Sequence, residues 1–245
     1  MLRGARLAFG AHVVFDALDM TLAAGKTTCL LGPSGVGKSS LLRLIAGLAD
    51  EPDRLSVVCS DGMSLHGRAA YMDQRDLLYP WLSVLDNVLL GARLRGEARD
   101  TGAAHALLEA VGLEGRDKAL PQALSGGMRQ RVALARTLME DRPVVLMDEP
   151  FSSLDALTRY RIQALATGLL HGRTVLLVTH DPSEALRLGH IIHVMRGSPA
   201  RVDDAMVPPG APPRDPTHPA LLPLHRELMQ RLGFGQDVSP GQALA

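Results

Sequence analysis

The sequence predicts an α/β chain built on a mainly parallel sheet, with an antiparallel β subdomain near its start and a helical subdomain inserted in the middle. Three observations predict it. Apolar strand-like runs alternate with helical stretches through the second half, as in parallel sheets with crossover helices. Residues 1–30 alternate short apolar runs with turn residues in the manner of hairpins. Between about 75 and 140 the apolar spacing becomes helical.

The elements follow in chain order. LRGARLAF, VVFDALDMTL and TTCLL read as strands, and SSLLRLIAGL reads as a helix ending near Gly47. Residues 54–72 read as further strands. VLDNVLLGARL and AAHALLEAVGL read as helices; in the second, Ala104, Leu107, Leu108 and Val111 share one face and Gly112 can end it. A helix starts at Ser125, with Met128, Val132, Ala135 and Met139 on its buried face. The strand VVLM precedes Asp148, a helix follows Asp155, and the strand TVLLVT precedes His180. Residues 198–223 hold eight prolines, which predicts an irregular linker, and ALLPLHRELMQRL then reads as a short helix. The expected division is one domain over 1–200 and a Pro-rich tail over 201–245.

Composition narrows the function. Apolar residues make up 46% of the 245, enough for a globular core. Lys+Arg and Asp+Glu both total 26, so no excess positive charge marks a nucleic-acid binder. No apolar run approaches the roughly 20 residues a membrane helix needs, and the first residues read as structure rather than a signal segment. Cys29 and Cys59 sit in apolar runs without CxxC spacing, which predicts two buried thiols in a reducing compartment. His105, His190 and His193 belong to no ligand-like cluster and read as surface or packed residues.

Three stretches carry chemistry. Gly32-Pro33-Ser34-Gly35-Val36-Gly37-Lys38-Ser39 matches G-x-x-x-x-G-K-[ST] between a strand and a helix, and so predicts a P-loop NTPase core. Its glycines let backbone N–H groups turn around phosphates, the helix start adds partial positive charge, and Lys38 can reach the β- and γ-phosphates. The Ser39 hydroxyl can ligate Mg²⁺ and Ser40 can hold the α-phosphate. Lysine is otherwise confined to Lys26 and Lys118, so its presence at this spacing stands out. Next, Val144–Glu149 is an apolar strand ending in two carboxylates: Asp148 can hold Mg²⁺ through water, and Glu149 can polarise an attacking water. Finally, Leu124-Ser125-Gly126-Gly127-Met128-Arg129-Gln130 places a capping serine and two glycines at a helix start, leaving N–H groups open to an anion. Because the chain's own phosphates already have a loop, this second anion site makes sense if it serves a nucleotide held by another copy.

LSGGMRQR between a phosphate loop and an apolar strand ending in Asp-Glu resembles the nucleotide-binding domain family of ABC transporters, over about residues 1–200. The resemblance implies an active ATPase using ATP and Mg²⁺. It implies that Gln74 joins the sheet core to the helical subdomain and senses Mg²⁺ and the γ-phosphate. Ser153-Leu154-Asp155 resembles the loop that meets the opposing subunit, His180 resembles the switch histidine on the γ-phosphate, and Phe9 stands where an aromatic stacks on adenine. Phe9 replaces a more usual Tyr, Ser40 a Thr, and Ser152-Ser153 a Gly or Ala. Two copies are implied to hold two ATP molecules, each between one copy's Lys38 loop and the other's Ser125 start.

YMDQRDLLYPWLSVLDNVLLGARLRG is most similar to the nitrate/sulfonate/taurine importer group, which includes pyrimidine (thiamine-precursor) uptake members. That similarity implies transmembrane permease partners, an indirect solute-binding protein outside the membrane, and a peripheral place on the cytoplasmic face of the plasma (inner) membrane. The solute stays open between a pyrimidine-type precursor and a sulfonate- or nitrate-type anion. Trp81 is either core or part of the rim where permeases dock. The alternative, a soluble ABC ATPase without a transport role, lacks the long heptad coiled coils or tandem motors expected of it.

Overall fold

A computed structural model of the chain describes residues 1–49 and 56–233. Within them the strands are β1 (Leu2–Phe9), β2 (His12–Met20), β3 (Thr27–Leu31), β4 (Ser56–Val57), β5 (Ala69–Met72), β6 (Val144–Asp148), β7 (Thr174–Thr179), β8 (Ile191–Gly197) and β9 (Ala200–Val202). The helices are α1 (Lys38–Ile45), α2 (Val84–Val88), α3 (Leu90–Arg95), α4 (Thr101–Ala110), α5 (Gly126–Met139), α6 (Ala156–Leu169), α7 (Pro182–Leu188) and α8 (Leu222–Arg231).

Among the described residues the strands form one sheet in the order β4-β1-β2-β9-β8-β3-β7-β6-β5. From β8 to β5 every pairing is parallel, whereas β1 pairs antiparallel with both β2 and β4, and β8 pairs antiparallel with β9. The expected parallel core and antiparallel β subdomain are therefore both present, joined edge to edge in a single mixed sheet.

The central strands are apolar on both faces, as sheets covered by helices require. Cys29, Leu31, Val145, Met147, Val175 and Leu177 point into one core, with α5, α6 and α7. The alternate residues Leu30, Leu146, Leu176 and Val178 point into the other, with α1 and the β1–β2 hairpin. Because side chains alternate with period two, one uninterrupted apolar run serves both layers.

Four expectations need correction. Residues 54–72 are not continuous strand: residues 50–55 lie outside the described residues, β4 is two residues long, and the chain loops until β5. Within that loop Asp61 Oδ1 accepts the Met63 N–H and Ser64 Oγ accepts the His66 N–H, so polar side chains take backbone donors that a ladder would use. Cys59 lies in this loop, half-buried, while Cys29 is fully buried in β3. VLDNVLLGARL folds as two short helices meeting at Leu89 rather than one. The proline-rich tail is irregular but packed. β9 runs across position 200, Met206 bridges Ile192, and Arg214 is 7% exposed.

Candidate nucleotide site

The carboxyl ends of β3, β5, β6 and β7 lie on one edge, so the loops that follow them converge although they are far apart in sequence. After β3 the chain turns through residues 32–37 into α1. Gly37 has φ +108°, and a Cβ there would stand 2.6 Å from Val14 Cγ1; a Cβ on Gly32 would stand 2.4 Å from the Met195 carbonyl oxygen. Both glycines are therefore required by backbone conformation and close approach.

Lys38 is 6% exposed, and its Nζ donates to the carbonyls of Gly32 at 2.7 Å and Pro33 at 2.9 Å. Burial pulls its pKa below the ordinary lysine value, against the opposing pull of Glu149 and Asp148. The ammonium is thus folded over the loop whose phosphates it would meet. Phe9, His12, Val14, Ser34, Gly35, Gly37, Ser39, Ser40, Gln74 and Glu149 line an open recess of about 360 Å³ with it. His12 and Val14 were not singled out from sequence. The signal lay in the Gly10-Ala11 turn, which sets His12 opposite Phe9 in the hairpin.

β6 ends in Asp148, 1% exposed, with Oδ1 buried and without a protein partner. Burial raises its pKa, while the neighbouring Ser39 hydroxyl and Lys38 pull it down and Glu149 and Asp73 push it up. An orphaned carboxylate oxygen beside a hydroxyl suits a hard cation that takes oxygen ligands. Asp148 and the neighbouring Ser39 hydroxyl thus offer oxygen donors of the kind Mg²⁺ takes, and Gln74 lines the same recess as Ser39.

Glu149 follows with φ +47°, a left-handed conformation that is strained for a residue with a side chain. Three backbone contacts hold it there. Its N–H donates to the Val178 carbonyl at 2.9 Å, and its carbonyl accepts from the Ser152 N–H at 3.2 Å and the Ser152 hydroxyl at 3.0 Å. The carboxylate is bracketed on both sides. Gln74 Nε2 donates to Oε2 at 3.3 Å, and His180 Nδ1 lies 3.0 Å from Oε1. Ser152, which departs from the resembled pattern, thus fastens the turn that aims Glu149.

Ser125, Gly126, Gly127 and Asp155 are not part of this recess. Ser125 caps α5, its Oγ accepting the Met128 N–H at 3.3 Å, and both it and Gly126 are exposed. A Cβ on Gly127 would stand 3.2 Å from the Ser153 carbonyl oxygen, so the α5 start packs on the loop that ends in Asp155. Asp155 caps α6 by accepting the Thr158 N–H at 3.0 Å. Trp81 is 71% exposed and packs edge-on to Tyr79 with ring centroids 5.3 Å apart, which overturns its reading as core. The fully buried Asn87 holds that loop, accepting from the Tyr79 N–H and donating to the carbonyls of Tyr79, Leu82 and Ser83. Among the described residues no helix is long and apolar enough to cross a membrane, and no cluster of His, Cys, Asp and Glu suits a metal by itself.

The ABC transporter family pattern matches residues 15–152. An uncharacterized ABC transporter ATP-binding protein of Haemophilus influenzae is 44% identical over 236 residues, covering 94% of this chain and 97% of that protein. The aliphatic sulfonates import ATP-binding protein SsuB 2 of Burkholderia cenocepacia is 42% identical, covering 98% of this chain and 89% of the relative. Among solved structures, the dimeric bacterial ABC transporter cassette MJ0796 superposes with a TM-score of 0.75 at 26% identity, covering 86% of this chain and all of the other. A dimeric post-hydrolysis state of that cassette, bound to ADP and Pi, gives 0.73 at 27%.

Proposed function

The chain belongs to the ABC transporter family, and from that membership we propose that it is one half of a paired motor driving import of a sulfonate-type anion. It is an ATP-binding subunit with ATPase activity. The observation that carries the catalytic reading is the Glu149 carboxylate, held at a strained strand end between Gln74 and His180 and facing the Lys38 recess.

The residues divide the work of phosphoryl transfer to water, which needs positioning and charge neutralisation more than covalent help. The amides of residues 32–37 and Lys38 hold the phosphates, Ser40 steadies the α-phosphate, and Phe9 offers a ring face to adenine. Ser39, Gln74 and Asp148 would hold Mg²⁺, which would neutralise charge on the phosphate oxygens. Glu149 orients the attacking water and accepts its proton. His180 donates toward the γ-phosphate while its ring lies against Glu149. The Ser125–Gly127 helix start, exposed at Ser125 and Gly126, and the exposed Asp155 act in the opposite copy's site. That role agrees with their exposure and with their position outside the chain's own recess.

The remaining partners are transmembrane permease subunits, which dock at the Trp81–Tyr79 rim and place the chain peripherally on the cytoplasmic face, and indirectly a solute-binding protein. The sulfonate assignment is supported by the SsuB 2 relative named above. The pyrimidine alternative gains no support from the relatives described. Nucleic acid has no role in this reading.

One experiment tests it: ATP hydrolysis by the chain reconstituted with its permease in vesicles. Binding protein loaded with an alkanesulfonate should stimulate phosphate release, and Glu149→Gln should lower the stimulated rate by about 10²–10³. A Glu149→Gln variant working at the parental rate removes Glu149 from the chemistry. Stimulation by a pyrimidine alone removes the sulfonate.

A further inference from the structure

Gln74 sits on an exposed turn just beyond β5, yet its amide must meet Glu149 and the phosphate recess with sub-ångström constancy. The preceding residue explains how. Asp73 is a buried carboxylate in which each oxygen has a distinct task. Oδ1 accepts the Arg75 N–H at 3.1 Å and closes the turn around Gln74. Oδ2 accepts from Arg43 Nη2 at 2.9 Å and from the Tyr71 hydroxyl at 3.2 Å. Arg43 stands on α1, the helix whose first turn carries Lys38, Ser39 and Ser40.

We propose that Asp73 is a positioning residue for Gln74, tying the Gln74 turn through Arg43 to the helix that carries the phosphate-binding Lys38 and Ser39. The sheet alone sets the strand ends relative to one another. This tether sets the Gln74 amide relative to the Ser39 hydroxyl, the two groups that share a cation with Asp148. Because the Arg43 side chain is 47% exposed, the ion pair adds little to stability, and its consequence is geometric. Burial pushes Tyr71, half-buried beside Asp73, up to about 12, so its hydroxyl remains a donor.

The inference rests on the role proposed for Gln74, and the test separates the two. Asp73→Asn keeps an acceptor for the Arg75 amide but loses the charge that holds Arg43, and Arg43→Met loosens the same tether from its other end. With EDTA present, both variants should bind ATP like the parent, since the phosphate loop is untouched. The gain in ATP affinity on adding Mg²⁺, and kcat, should each fall about tenfold in both. The double variant should fall no further than either single change. Losses that add, losses in EDTA binding of equal size, or a parental kcat in Asp73→Asn would each overturn the tether. A Gln74→Ala variant with parental Mg²⁺ dependence and kcat would instead sink the role of Gln74 itself.

Discussion

Glu149 shows how much of this site is backbone work. A glutamate at φ +47° is strained by roughly 1–3 kcal/mol, and the Val178 carbonyl together with Ser152 holds it there. Gly37 makes the complementary case: its φ of +108° and the 2.6 Å approach to Val14 leave no room for a methyl group. Gly37→Ala is expected to lower stability by about 1–3 kcal/mol in urea titrations, with ATP affinity falling alongside because the loop amides re-aim. Parental stability and affinity would refute that requirement. At this scale the sequence was legible wherever residue type and spacing carry the chemistry, as with Lys38, Ser39 and Glu149. The lean of His180 on Glu149 depends on a distance between two strand ends, and no spacing along the chain contains it. The sequence left Trp81 open between core and an exposed rim, because an aromatic within an apolar run looks alike whether or not a neighbour covers it, and the structure places it at the surface.

The legibility of each element tracked how completely it is buried. β3, β6 and β7 are apolar on both faces and declare themselves as runs; in α5 the expected Val132 and Ala135 are buried, Met128 and Met139 are half-buried against the same core, and burial extends beyond that face to Ala133, Leu134 and Leu138. The stretch 58–68 was misread because its apolar residues alternate with Asp61 and Ser64, which close local turns. The Leu89 break between α2 and α3 has no Gly or Pro to announce it. α7 supplies a test of packing. Glu184 is 7% exposed and accepts from Gln163 Nε2 at 2.9 Å; burial raises its pKa, with Thr179 and Gln163 pulling it down. The folded chain therefore holds a proton that the unfolded chain releases above about pH 4.3. The associated stability is complete below that unfolded pKa and is lost as pH rises through the folded one. Glu184→Gln keeps the acceptor for Gln163 and abolishes the titration. Urea midpoints of the parent should fall relative to the variant as pH rises above about 4.3, and parallel pH profiles would contradict the assignment.

For the whole molecule, the alternation of strands and helices announced a parallel core, but the order β8-β3-β7-β6-β5 could not be read, since it depends on which crossovers pack together. The tail misled for a related reason: prolines suggest a linker, and a single arginine folds it down instead. Arg214 donates to the carbonyls of Pro208, Pro209, Gly210, Leu186 and Gly189, and its own carbonyl accepts from Arg187 Nη1 at 2.7 Å. Arg214→Met should cost about 3 kcal/mol by orphaning buried carbonyls, measured by urea titration, and a loss under about 1 kcal/mol would return the tail to linker status. The central claim concerns two chains rather than one: a nucleotide in the Lys38 recess is closed over by the Ser125 helix start of another copy. Its most direct test is the solution mass of the Glu149→Gln chain, by light scattering, with and without ATP. The account predicts a monomer that becomes a dimer on adding ATP, and an added Ser125→Arg that still binds ATP but stays monomeric. An ATP-saturated Glu149→Gln monomer, or a dimer indifferent to Ser125, would contradict it.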